Sequence, residues 1–306
     1  MQNMKYTIIG GAGNTAKPIT EKLLDAGQQV TVVGRNPEHL ETLVAKGAKA
    51  AIGSIDDINF LTKAFAGADA VYTMVPPMYD TTDWKTDIAK KGKNFAKAIA
   101  DNNIKYVVNL SSIGAHTAVG AGPVTGLFNV EKVLNTLIGV NILHLRPAYF
   151  FQNLLSNVPL ARNMNFIGTN FGGPNYKLVL VSPSDIADVA AEELLTLNFS
   201  GQSVKYISSD ERSTDDIASV FGNAIGKPSL PWITFTDEQA LEGMLNAGLP
   251  AEISKNYAEM HHALQSGTML EDYWKHRPES LQKTKLEDFA KVFADVYNME
   301  PAPAHG

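Results

Sequence analysis

Gly10, Gly11 and Gly13 stand at the end of an apolar, β-like run over residues 6–9, and a helix-forming segment opens directly after them, near Asn14. Glycines in that place let a backbone turn tightly and approach phosphate oxygens with no Cβ in the way. The helix beyond aims its free N–H groups and the positive end of its dipole at the anion. Pro18 falls within the first turn, where its missing N–H costs little. Gly11, Gly13 and Ala16 give the spacing GxGxxA, while Gly10, Gly13 and Ala16 give GxxGxxA; both are dinucleotide spacings. A glycine-rich turn also ends ordinary strands, so the motif needs its context. A second β-like run, 29–33, follows the helical stretch 20–26 and Gly27, completing a βαβ unit. It ends in Gly34, Arg35 and Asn36, where an NAD-preferring chain places an acid against the ribose 2′-OH. An arginine there suits a 2′-phosphate, so Arg35 points to NADP rather than NAD; the alternative is a solvated surface arginine.

Further along, the candidates stand at the expected strand ends. Ser111 and Ser112 close a fifth β-like run, where a hydroxyl can bond a substrate or simply cap a turn. Tyr149, Phe150 and Phe151 follow the sixth. They offer a flat apolar wall for an aromatic acceptor, with Gln152 or Asn153 to bond its oxygen; the alternative for the aromatics is plain core. His116, in the loop after Ser112, is a minor candidate proton donor. His261 and His262 are adjacent, diverge on a helix and read as a surface or interface pair, not a metal site. No GxSxG elbow and no HExxH is present, which disfavours an α/β hydrolase or a zincin.

These positions need a scaffold. The first half alternates β-like runs and helical stretches, which predicts an α/β, doubly wound parallel sheet whose ligand lies outside the carboxyl ends of its strands. Six strands are expected, at 6–9, 29–33, 50–52, 68–75, 104–110 and 140–145, with helices over 37–46, 56–65, 83–102 and 124–138 between the later ones. After Pro147 the alternation loosens. The expectation is an aromatic helix start at AYFFQNLL, a strand pair near Phe166 and 178–181, a helix over 185–197 capped by Ser184 or Asp185, and a strand at 204–207. The organisation follows: 1–155 a dinucleotide-binding domain to which 177–208 returns, 156–300 a smaller, mostly helical substrate lobe, 301–306 a disordered tail.

Composition narrows the classes. The chain has 306 residues, 44% hydrophobic and 19% charged, enough for one large domain plus a smaller lobe. It has no cysteine, which excludes disulfides, thiolate metal sites and cysteine nucleophiles. A net charge of −6 argues against nucleic acid as a partner. The start MQNMKYTIIGG runs straight into the first strand and no apolar run reaches membrane-span length, so a soluble cytoplasmic protein, monomeric or homodimeric, is expected.

In this order, IIGGAGNTA, VVGRNPEHL, VYTMVPP, VVNLSSIGA, VEKVL, LHLRPAYFFQNLL, VSPSDIADVAAEEL and LEDFAKVFADVY resemble the NmrA-like family, nearly end to end. This is a group of atypical short-chain dehydrogenase relatives that includes NAD(P)H quinone oxidoreductases and NADP-sensing regulators. The resemblance implies a cofactor set of Gly10, Gly11, Gly13, Asn14 and Thr15 at the pyrophosphate and Arg35 at the 2′-phosphate. Met74, Val75 and Pro76 fall on the adenosine side or the bridging ribose, though the first two also suit sheet core. Ser111, Pro147, Tyr149 and Phe150 fall toward the nicotinamide. Two departures stand out: Gly53–Ser54 replaces a glycine–aspartate pair near the adenine, and no tyrosine has a lysine four residues on. Where related chains carry a lysine four residues before the helix glutamate, here Glu131, this one has Leu127. A Tyr/Lys general-acid pair is therefore not expected. What remains is hydride transfer by position alone, which suits quinones and similar electrophiles, with Ser111, Ser112, Tyr149 and Asn153 as the residues beside the reacting atoms. The rival is a redox sensor that binds NADP(H) without turnover.

Overall fold

The computed structural model describes residues 3–299. From the amino end the chain alternates β1 (Lys5–Ile9), α1 (Ala16–Asp25), β2 (Gln29–Gly34), α2 (Glu41–Ala45), β3 (Lys49–Ile52), α3 (Ile58–Phe65), β4 (Ala70–Thr73), α4 (Trp84–Asp101), β5 (Tyr106–Leu110), α5 (Val124–Leu134) and β6 (Asn141–Pro147). Then come β7 (Tyr149–Phe150), a 3-10 segment Phe151–Asn157, α6 (Val158–Asn163), β8 (Ile167–Thr169), β9 (Lys177–Val181), α7 (Pro183–Thr196) and β10 (Gln202–Ile207). The chain closes with β11 (Asp210–Ser213), α8 (Thr214–Ala224), β12 (Trp232–Thr234), α9 (Asp237–Asn246), α10 (Ala251–Gln265), α11 (Glu271–Lys275) and α12 (Leu286–Asn298).

The main sheet has seven strands in the order β3-β2-β1-β4-β5-β6-β10, every pair parallel. Strand order runs outward from β1 in both directions, so the carboxyl ends of β1 and β4 form the switch point where a doubly wound sheet takes its ligand. The strands are short apolar runs because helices cover both faces: four of the five β1 residues are buried. On α4, Ile88, Phe95 and Ile99 recur at helical spacing and are buried. On the other face α1 buries Ile19 and Leu23.

The expected six strands become seven because Gln202–Ile207 pairs with β6. Of the stretch 177–208, however, β9 goes elsewhere: it pairs with β7 and, antiparallel, with β11 in a separate three-stranded sheet. The strand pair expected near Phe166 does not form, since β8 pairs with β12 instead. Nor does AYFFQNLL start as a helix. Tyr149 and Phe150 are extended against Leu180 and Val181, and the 3-10 segment begins only at Phe151. The pairing partner lies some thirty residues on, so no local pattern announces it. At α7 the cap is Ser182, whose hydroxyl accepts the Ser184 amide. Asp185 is buried and accepts from Ser209 Oγ at 2.6 Å and Thr284 Oγ1 at 2.9 Å, tying α7 to the carboxyl-terminal segment. The tail 301–306 lies outside the described residues.

The carboxyl-terminal elements pack into the same buried cluster as one face of the sheet, which joins Phe221, Phe289 and Phe293 to Tyr6 and Ile8. Phe221 stacks on Phe293 at 4.1 Å between ring centroids and Phe151 on Phe289 at 5.4 Å, bringing α12 onto α8 and the 3-10 segment. Among the described residues no helix is long and apolar enough to cross a membrane.

Candidate functional site

The glycine turn after β1 leads into a helix start whose amides are free among the described residues, while the Gly11 and Gly13 amides are bonded within the protein. Gly10 has φ +89°, a conformation open to glycine at no steric cost. The Gly11 amide donates to the Val33 carbonyl at 3.2 Å, and a Cβ on Gly11 would stand 2.7 Å from Leu40 Cδ2. Gly11 therefore packs the turn onto β2 and has no N–H left for a phosphate. The Gly13 amide is likewise taken, by the Gly10 carbonyl at 2.7 Å. The amides of Asn14, Thr15 and Ala16 carry no hydrogen bond among the described residues. Thr15, at the cap position, makes no side-chain cap and α1 has no acid in its first turn. By contrast, Asp57 caps α3 and Asp83 caps α4. A helix with bare amides and no carboxylate at its amino end is a ready anion site.

Around this turn, Met74 stands past the end of β4 with its sulfur 2.8 Å from where a Gly10 Cβ would lie, so the ends of β1 and β4 meet there. Val75 and Pro76 follow, half-buried. Arg35 is exposed just beyond β2 and has no ion-pair partner among the described residues. At the end of β3 a Cβ on Gly53 would meet the Phe60 ring at 2.6 Å. Ser54 Oγ donates to Asp56 Oδ2 at 3.2 Å, and Lys91 holds that carboxylate at 2.8 Å. The acid missing at position 54 thus has a neighbour two residues on.

Along the sheet, Thr73 donates to Asn109 Oδ1 at 2.9 Å, Asn109 Nδ2 meets His144 Nδ1 at 3.1 Å, and His144 Nε2 meets Asn135 at 2.9 Å. Burial pushes the His144 pKa down to about 4, so this cross-link between β4, β5 and β6 is neutral. Ser111 follows directly. Its amide donates to the Leu145 carbonyl at 2.8 Å, but its buried hydroxyl has no partner among the described residues. Ser112 is spent locally, its hydroxyl donating to the Ile113 carbonyl at 2.9 Å. The Pro147 carbonyl accepts the Ile113 amide at 2.8 Å, so Pro147 secures the loop after β5. His116 has a buried Nδ1 without a partner.

Arg146, adjacent to Pro147, is a structural clamp. It binds Glu131 through Nε at 3.0 Å and Nη2 at 2.7 Å, and reaches Tyr206 and Asp272 through Nη1 at 3.1 Å each. Leu127, at the place where the family resemblance implies a lysine, packs partly buried against the core.

The aromatic segment divides. Phe151 is fully buried in the core and Phe150 half-buried. Tyr149 turns toward the smaller lobe, edge-on to Phe171 with ring centroids 5.6 Å apart. Phe171 in turn stacks on Tyr176 at 5.6 Å and Trp232 at 5.8 Å. Burial raises the Tyr149 hydroxyl above the usual phenol range, with Tyr257 adding to it, and raises Tyr176 in the same way. The Tyr176 hydroxyl and Gln152 Oε1 are buried without partners. Asn153 is exposed on the 3-10 segment, and no hydrogen bond of its side chain links it to Tyr149.

One residue set aside in the sequence belongs here. His261 does not lie on the surface with His262. Its ring is half-buried, edge-on to Phe171 at 5.2 Å, and its Nε2 is 3.4 Å from the Tyr149 hydroxyl. His262 is exposed and pairs with Asp237 at 2.7 Å. The one available signal was helical phase: Tyr257, four residues before His261, shares its face and stacks on it at 6.2 Å.

Comparison with known proteins agrees with this architecture. The model of the NmrA-like family matches residues 2–294. The NAD(P)H azoreductase of Xenophilus azovorans is 23% identical over 256 residues, 83% of this chain and 85% of that one. An NADPH-dependent quinone oxidoreductase from Escherichia coli, solved with NADPH, superposes with a TM-score of 0.79 at 20% identity, covering 94% of this chain and 99% of its own. NmrA, a negative transcriptional regulator solved with NAD, superposes at 0.74 with 12% identity, covering 98% and 99%. A cradle of free amides at a sheet's switch point, carried by a chain matched over almost its whole length, identifies this protein as a member of the NmrA-like family.

Proposed function

We propose that this protein is an NADPH-dependent reductase of quinones and similar electrophilic aromatics, working by direct hydride transfer without a tyrosine–lysine pair. The observation that carries the reading is the pairing of two sites along one row of strand ends. At β1 and β2 stand the unbonded amides of Asn14, Thr15 and Ala16 and the unpaired Arg35, which fit a pyrophosphate and a 2′-phosphate. At β5 and β6 stand the unpartnered Ser111 hydroxyl and the Tyr149 ring, with no lysine among their hydrogen-bond partners.

NADPH bound across these ends supplies the hydride. The chain's residues hold it and its acceptor at contact distance. Ser111 is placed to bond the carboxamide or the acceptor, and Tyr149, with Phe171 behind it, gives a flat apolar surface that excludes water. Names of relatives support this class: the curated relative is an azoreductase and a solved neighbour a quinone oxidoreductase. The likeness to the regulator, together with the missing pair, favours a second reading, a sensor that binds NADP(H) without turnover.

The test is oxidation of NADPH, followed at 340 nm with the purified protein and a panel of quinones, azo dyes and aldehydes. Turnover of quinones or azo dyes, with aldehydes inert, is expected. Tight NADPH binding without turnover on any of them replaces the reductase with the sensor.

A further inference from the structure

The histidine beside the aromatic wall is fixed in one tautomer. Asn170 Nδ2 donates to Asp237 Oδ1 at 2.8 Å and to the Ala258 carbonyl at 3.1 Å, and both of these only accept. The amide's orientation is thereby set, and its Oδ1 faces His261 Nδ1 at 3.1 Å. An amide oxygen cannot donate, so Nδ1 carries the ring proton. Thr169 Oγ1, 3.1 Å from the same nitrogen, spends its own hydrogen on Asn170 Oδ1 at 3.3 Å. Burial, opposed by Asp237, lowers the imidazole pKa to about 4, so the ring is neutral near pH 7. Nε2 is then a bare acceptor, and the group it meets, at 3.4 Å, is the Tyr149 hydroxyl.

We propose that His261 is the positioning residue of the acceptor site: keyed by Asn170, its Nε2 accepts a hydrogen bond from the Tyr149 hydroxyl and holds that phenol where it contacts the electron acceptor. The proposal deepens the reductase reading and rests on it. It fills the place left by the missing lysine with a different device: an acceptor behind the tyrosine in place of a cation. When a quinone takes up the hydride of NADPH, an electron pair moves onto its oxygen. The Tyr149 O–H, held to Nε2 by a long bond, turns in the ring plane and donates to that oxygen. Tyr149 keeps its proton, because burial disfavours the phenolate, and water supplies the one that completes the hydroquinone.

Three single variants, one double variant and one spectrum test this. His261→Phe keeps a flat ring against Phe171 and removes the acceptor; His261→Gln keeps an acceptor; Tyr149→Phe removes the hydroxyl. In quinone turnover, Tyr149→Phe lowers kcat about tenfold, the loss of one hydrogen bond made to the developing anion, and His261→Phe lowers it as much because the phenol that makes that bond is no longer held in place. The double variant is expected to lose no more than either, and His261→Gln to recover most of the rate, with NADPH affinity unchanged in both His261 variants. Ring ¹⁵N resonances of the cofactor-free protein are expected to show Nδ1 protonated and Nε2 bare, with Nε2 shifting in Tyr149→Phe. A protonated Nε2, additive losses in the double variant, or a full kcat in His261→Phe overturns the proposal while the reductase reading stands. A wild-type protein inert towards every quinone and azo dye overturns both.

Discussion

The two ends of the proposed cleft are made in opposite ways. The phosphate end is local: one turn, Gly10 to Ala16, supplies its amides, and a residue some twenty positions on supplies its cation. Its polar groups face outward and mostly lack protein partners. The acceptor end is assembled from far along the chain. Tyr149 meets His261 across 112 positions, and Thr169 meets the same ring across 92. Here Tyr149, His261, Asn170 and Asp237 bond one another in a chain, while the buried Ser111 and Tyr176 hydroxyls have no partner among the described residues. A phosphate site must be left open for a ligand that brings its own acceptors. An aromatic site must be enclosed, and enclosure requires contributions from distant elements.

The largest effect that should separate the two ends comes from the clamp below the acceptor end. Arg146 is buried and joins α5, β10 and α11 through Glu131, Tyr206 and Asp272. Arg146→Met leaves Glu131, also buried, without its counter-charge, and removing one partner of such a pair costs about 3–5 kcal/mol. Urea denaturation is expected to show that loss, and Arg146→Met/Glu131→Gln to recover part of it, since no buried charge is then stranded. If the single variant keeps wild-type stability, the clamp is not what holds the acceptor end closed.

That asymmetry also explains what the sequence disclosed. The glycine turn after β1 was legible because its signals lie within one stretch: glycines at fixed spacing and a helix opening at once. The helical phase of α4 was legible for the same reason. Gly11 shows the limit even there, since only the structure reveals that its amide is spent on Val33. The aromatic segment was recognised by composition but given the wrong conformation, because β7 exists only through its pairing with β9. His261 was passed over because two adjacent histidines look alike in a sequence. Which one is enclosed depends on Phe171 and Asn170, some ninety positions away.

A smaller effect is expected at the open end. Arg35 is exposed and makes no ion pair among the described residues, so Arg35→Ala leaves stability within about 0.5 kcal/mol of wild type, the usual range for an exposed substitution. Its consequence appears on ligand binding. Losing a charge-assisted contact to a 2′-phosphate weakens NADPH by about 1.5–3 kcal/mol, or roughly 10- to 150-fold, and leaves NADH nearly unchanged. Titration of both nucleotides against both proteins reads this directly. Equal losses for the two remove Arg35 from the 2′-phosphate.

The smallest effect sharpens the comparison most, because it concerns the residue next to His261. His262 is exposed and pairs with Asp237 at 2.7 Å on the surface. Exposed pairs of this kind contribute about 0–1 kcal/mol. His262→Asn is therefore expected to shift the denaturation midpoint only slightly. It should also leave quinone kcat unchanged, because Asp237 Oδ1 still accepts from Asn170 without it. His261→Phe, one position away on the same helix, is expected to lower kcat about tenfold. Should the two variants instead behave alike, in stability and in turnover, enclosure by distant elements would not be what distinguishes these histidines, and the acceptor end would be as locally built as the phosphate turn.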